Sequence, residues 1–288
     1  MTHDRDRAAD ESRNPMPPDT RLPWPKQAYL ALTLLTRIPL PPLQALPDRA
    51  VASCAWAFPL VGALVGLAGG LVFFAANQAG LGIGSSSLLA IGSQVLLTGG
   101  LHEDGLADTA DGFGGGRDRD AKLAIMRDSR IGTYGVLALV LLIGLRYAAL
   151  SELANSLISI SDEYDETVNH TASVVITLVV SGALSRAAMT VLWFALPPAR
   201  SDGLSASAGI VPVPALLVCV LLALLPAALL LDGPLLVAAL VSVCAVSLVM
   251  LLLARRQIGG QTGDVLGAMQ QIAEVAALLA ISAVTIAT

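Results

Sequence analysis

The chain has 288 residues, 55% of them hydrophobic and 14% charged, with a formal net charge of −5 and a mean hydropathy of +0.72. Soluble domains carry about 25% charged residues, so this composition excludes an ordinary water-soluble fold and points to membrane-spanning helices built from Leu, Ala and Val. No basic stripe is present, which excludes nucleic acid as a partner.

In chain order, residues 1–25 are polar and Pro-rich with no apolar core, and read as a disordered tail rather than a signal peptide. The next stretch, QAYLALTLLTRIPLPPLQAL, is interrupted by Arg37, Pro39, Pro41 and Pro42. Prolines cannot continue a helix, so this is a short interfacial or re-entrant helix. Seven apolar segments follow at roughly 51–77, 82–99, 131–154, 172–196, 211–231, 234–254 and 270–287, each near the ~20 residues that cross a bilayer. The expected fold is all-α: a polytopic transmembrane bundle of about seven spans forming one catalytic domain over 26–288. Cys54, Cys219 and Cys244 each sit in an apolar run at spacings that match no metal or disulfide pattern, and read as buried reduced thiols.

Lys and Arg set the orientation, because cytoplasmic loops hold an excess of them. Seven precede residue 51, five lie at 100–130, and Arg255 and Arg256 open the 255–269 loop, whereas 155–171 has none. Alternating spans place every basic loop on one face. That face gathers TRIP, MRDSRIGTYG, LPPARSDGL, GGQTGD and the run GGLHEDGLADTADGFGGGRDRD at 99–120.

The run at 99–120 carries the chemistry. Asp104, Asp108 and Asp111 are spaced i, i+4, i+7 and fall on one helical stripe. Like charges at that spacing repel, and three converging carboxylates are stabilised by a cation. All-oxygen ligands favour Mg²⁺, with Mn²⁺ the alternative. Gly105, Ala107, Ala110 and Gly112 keep the helix slim. The bland alternative, a solvated acidic helix end, suits Glu103, Asp118 and Asp120 better.

Arg127 and Arg130, with Asp128 between them, precede the next span and suit phosphate; they also fit ordinary membrane anchors. Arg186 lies mid-span, where an isolated Arg costs about 2.5–3.5 kcal/mol and faces a bundle interior. Arg146 is similar but has a structural reading, snorkelling to the interface. His102 reads as interfacial or supporting. Asp264 follows the Gly-rich turn GGQTGD, which can present N–H groups to an anion; a helix N-cap is the plainer role. Carboxylates on a metal, flanked by Arg at a span end, suggest phosphoryl or nucleotidyl-linked transfer. A cation-coupled transporter is the other class, but it would hold its acids nearer the midplane of broken helices.

The segments LTLLTRIPLP, AWAFPLVGALVG, LTGGLHEDGLADTADGFGGGRDRDAKLAIMRDSRIGTYGVLAL, LSRAAM, LPPARSDGL and GGQTGDVLGAMQQIAE resemble the membrane-bound cobalamin synthases, the adenosylcobinamide-GDP ribazoletransferases. One departure is Glu103, where that family's pattern leads one to expect an apolar residue. The resemblance implies an Mg²⁺-requiring enzyme of the bacterial cytoplasmic (inner) membrane, its site facing the cytoplasm. Its substrates would be adenosylcobinamide-GDP and α-ribazole or its 5′-phosphate, its products adenosylcobalamin or its 5′-phosphate and GMP. It implies Asp104, Asp108 and Asp111 as metal ligands, Arg37, Arg127, Arg130 and Arg186 as phosphate contacts, and Asp264 or a stripe carboxylate as proton acceptor. The acidic motif is also similar to that of the CDP-alcohol phosphotransferases, which leaves a lipid-making enzyme as a rival. Membrane lipid surrounds such a bundle, and a homo-oligomer is compatible with it.

Overall fold

The structure is a computed structural model that describes residues 22–43, 46–47, 50–164, 169–201 and 208–287. Most of the tail and part of the acidic 155–171 loop lie outside the described residues. The helices are α1 (Trp24–Leu35), α2 (Ala50–Cys54), a 3-10 turn (Ala55–Ala57), α3 (Phe58–Gln78), α4 (Ile83–Thr98), α5 (Leu101–Gly115), α6 (Arg119–Ile125), α7 (Thr133–Tyr164), α8 (Asn169–Ala195), α9 (Val213–Leu230), α10 (Gly233–Ile258) and α11 (Gly263–Ala287). Among the described residues six helical stretches are long and apolar enough to cross a membrane, and α4 is a shorter apolar helix. These are the seven expected segments, and the all-helical bundle is as the sequence indicates. Helix α1 starts at Trp24, inside the stretch assigned to the tail, with Pro25 in its first turn, where a missing N–H costs nothing.

Helix α8 is the centre. Its apolar window is 78% buried, against 17% for α9 and α10, whose Leu217, Leu221, Leu225, Val237, Val241 and Leu248 point outward. Helix α3 packs along α8 through glycines one turn apart. A side chain at Gly62 would overlap the Gly182 backbone, one at Gly66 the Leu178 backbone, and one at Gly70 would meet Val175 Cα at 2.9 Å. In a bilayer helices associate by close packing of this kind, because lipid removes the hydrophobic incentive. Cys54 and Cys219 are buried and Cys244 is exposed; all three are free. The expectation of burial thus fails for Cys244, which sits on the outward side of α10.

Two turns fix the polar end of the bundle. Gly99 and Gly100 take φ 68° and 69°, a left-handed pair that closes α4 and opens α5 directly. Gly259, at φ 73°, closes α10, and the chain then pairs with the segment after α8: Ala199 N–H donates to Gln261 O at 2.8 Å and Gln261 N–H to Pro197 O at 2.9 Å. Arg119, at the start of α6, donates to Ile258 O at 3.0 Å and also to Ala199 O. The loops at 97–101, 115–133, 196–201 and 258–264 therefore meet at one end, as the charge pattern requires.

Candidate functional site at the charged end of the bundle

Helix α5 lies against α11 and α7. The approach to α11 is close because Gly105 lacks a side chain: a Cβ there would stand 2.8 Å from Asp264 O and 3.1 Å from its Cα. Asp264 thus begins α11 opposite the acidic stripe. Asp104 is exposed, Asp108 half-buried and Asp111 buried. Burial, then the charges of Asp104, Asp264 and Asp111, push the Asp108 carboxyl up to about 7, with Arg200 acting the other way. These carboxylates are near enough to destabilise each other's charge, which is the environment a hard cation relieves.

Asp111 is drawn to one side. It accepts from Gly132 N–H at 2.7 Å and Gly135 N–H at 2.9 Å, pinning the entry to α7 against the stripe. Among the described residues no group of three or more His, Cys, Asp or Glu side chains is arranged to hold a metal ion. Asp104, Asp264 and Asp111 all act electrostatically on Asp108, an oxygen-only set that is open to solvent at Asp104.

Asp264 is not the cap of α11. Thr262 takes that role, its hydroxyl accepting from Val265 N–H at 3.3 Å and donating to Asp264 at 3.1 Å. The Asp264 carboxylate also pairs with Arg200 at 3.4 Å. Arg200 stood in the sequence only as part of LPPARSDGL; its cue was a cation in a Pro-rich turn on the charged face.

The arginines divide into three groups. Arg37 is exposed; its backbone N–H donates to Leu97 O at 2.7 Å and its side chain lies over Gly99, beside the start of α5. Arg127 is exposed in the turn after α6. Arg130 binds Asp128 at 2.6 Å on the surface, and that bond holds the Asp128 carboxyl down at about 2. Both lie just before Gly132, hence near the Asp111 end of the stripe.

Arg186 belongs elsewhere. It is buried and bound to Glu274, Ser185 and the Gly182 carbonyl, so as placed it serves the bundle interior and not a phosphate at the mouth. Arg146 does not snorkel: it is 3% exposed, pairs with the same Glu274 and donates to Gln94 at 2.8 Å. Gln270 reaches Glu274 at 2.5 Å and Gln271 reaches Glu103 at 2.9 Å. Glu103 lies 3.8 Å from Arg146, so this acid is a buried member of the cluster and not a solvated helix end. His102 is 1% exposed, with neither ring nitrogen partnered; it lies under the site, within the bundle. Glu274 was missed from the sequence. Its signal was two mid-span arginines and an acid among the polar residues of QQIAE.

Comparison with known proteins gives the family. The family model described as Cobalamin-5-phosphate synthase matches residues 27–282. A Bradyrhizobium diazoefficiens protein named adenosylcobinamide-GDP ribazoletransferase is 45% identical over 257 residues, covering 88% of this chain and 92% of its own length. Proteins of the same name from Mesorhizobium japonicum and Rhizobium meliloti are 44% and 41% identical, covering 88% and 92% of this chain and 91% and 98% of their own lengths. No solved structure matches. With a match that spans nearly every described helix and includes the acidic stripe, Arg200 and Asp264, the chain belongs to the cobalamin-5-phosphate synthase family.

Proposed function

We infer that this chain is an adenosylcobinamide-GDP ribazoletransferase, an integral membrane enzyme that completes a corrinoid by phosphoryl transfer. The observation that carries the reading is the acidic stripe of α5 facing Asp264 at the open, charged end of the bundle, in a member of this family. The 3′-hydroxyl of α-ribazole, or of its 5′-phosphate, forms a bond to the phosphorus attached to cobinamide. The bond from that phosphorus to the bridging oxygen breaks, and GMP leaves with the electron pair. Asp264 or a stripe carboxylate takes the hydroxyl proton; a carboxyl like that of Asp108, raised to about 7, suits this work near neutral pH.

Asp104 and Asp108 would hold Mg²⁺ or Mn²⁺, with Asp111 on the next turn and Asp264 across from them. A divalent cation in such a site neutralises charge on a diphosphate and its leaving group. Arg37, beside the start of α5, and Arg127 and Arg130, just before Gly132, would meet phosphate oxygens. Membranes holding the protein are expected to release GMP only when both substrates and the metal are present. Chromatography of the nucleotide product checks this: CMP from a CDP-alcohol, or solute uptake with no nucleotide product, would overturn the assignment.

The charged end faces the cytoplasm of a bacterial inner membrane, on the balance of Arg and Lys. In a chain whose own cysteines are replaced, a Cys at Asp232, between α9 and α10, is expected to react with an impermeant thiol reagent in spheroplasts. One at Asp118, the N-cap of α6, is expected to stay unlabelled until the membrane is opened. The reverse pattern inverts the orientation.

A further inference from the structure

We propose that Arg200 is a diphosphate-binding residue of this site, gripping the nucleotide half of the substrate from the side opposite the acidic stripe. The inference rests on the ribazoletransferase reading above and extends it to a residue outside the stripe and its arginines.

A guanidinium has five N–H donors in a fixed fork. Arg200 uses one nitrogen, at 3.4 Å from Asp264, while its Nε and Nη1 are buried and have no partner among the described residues. Its side chain is only 16% exposed, so bulk water does not serve those donors. Buried donors left unmade are costly, and a structural arginine avoids that cost. Arg119, on the neighbouring turn, shows how: its three nitrogens go to Ile258 O, Ala199 O and Asp120.

Its position is rigid. The flanking residue Ala199 is clamped to Gln261, and Gly260 packs so tightly there that a side chain on it would stand 3.0 Å from Ala199 N. The fork is thus held beside Asp264 and within electrostatic reach of Asp108. A cation there repels a metal ion but complements the anion that a metal ion brings. Planar bidentate binding of phosphate oxygens is what the arginine fork does best.

The test uses the full chain, purified in detergent with Mg²⁺ present. Two quantities are read: the equilibrium Kd for GDP, and KM for each substrate in the GMP-release assay. Arg200→Gln is expected to raise the GDP Kd and the KM for adenosylcobinamide-GDP by about tenfold or more, as for one lost charge-assisted contact. KM for the ribazole substrate should stay near its wild-type value. Arg200→Lys keeps the charge without the fork and should recover part of the loss, which also decides the matter if Arg200→Gln does not accumulate. Unchanged GDP affinity and KM, or a fall in kcat alone, overturns the proposal. Should the wild type bind GDP yet release no GMP from the substrate pair, the reaction assignment fails, and the GDP affinities of wild type and variant still decide the role of Arg200.

Discussion

Asp104→Asn and Asp108→Asn are each expected to reduce GMP release by about a hundredfold or more, the scale on which loss of transition-state charge stabilisation is felt. Thermal stability should not fall with it. Asp108 is a carboxylate whose charge is disfavoured by burial and by three neighbouring acids, so a neutral amide relieves repulsion, and the variant should melt at or slightly above the wild-type temperature. Asp111→Asn behaves differently. Its carboxylate accepts from two backbone amides at the start of α7; an amide side chain has only one acceptor oxygen, and its NH₂ would face an N–H. Activity and melting temperature should therefore drop together. A Mg²⁺ titration of activity, with melting followed by size-exclusion chromatography after heating, separates the two behaviours. Near wild-type rates in both Asp104→Asn and Asp108→Asn would end the metal assignment.

Glu274→Ala is expected to be the most destabilising single change in the bundle. Glu274 is 1% exposed and bound to both Arg146 and Arg186. Removing one partner of a buried ion pair costs about 3–5 kcal/mol, because the other charge stays buried without compensation; here Arg186 is left so, while Arg146 keeps only Glu103 at 3.8 Å. The variant should be nearly absent from detergent extracts or melt far below the wild type. Replacing Arg146, Arg186 and Glu274 together with Met, Met and Leu should restore much of the loss, since an apolar substitute removes the desolvation cost as well. Glu103→Leu should cost less, because Arg146 keeps Glu274. A Glu274→Ala protein with wild-type melting would show that the cluster contributes nothing to stability.

The spans were legible because lipid selects for long apolar runs, and the continuous stretch Ala50–Gln78 from α2 to α3, α9 and α10 fall within a few residues of where those runs place them. The starts of polar helices were not. Helix α11 begins at Gly263, seven residues before the apolar run suggests, because Gln270, Gln271 and Glu274 look foreign to a membrane until their partners are known. Those partners, Glu103, Arg146, Ser185 and Arg186, come from three other helices, and no local pattern foretells such a meeting. The acidic stripe was legible from its 3.6-residue period alone. That Asp264 faces it follows from Gly105, whose role as a contact point is visible only once α5 and α11 are packed. The interior position of Arg186 was legible from its mid-span place, but its partner Glu274 was not: a mid-span cation announces a partner but not which one.

The buried cluster also imposes an order on synthesis. Arg146 and Arg186 enter the membrane on α7 and α8, while their shared counter-charge sits at residue 274, on the last helix to leave the ribosome. Until it arrives, Arg186 lacks its carboxylate and Arg146 has only Glu103 at 3.8 Å. Closure of the bundle, and with it the seating of Asp264 beside the stripe, waits for the final helix. A chain truncated before α11 leaves Arg186 in the bilayer without its carboxylate, where an isolated arginine is costly.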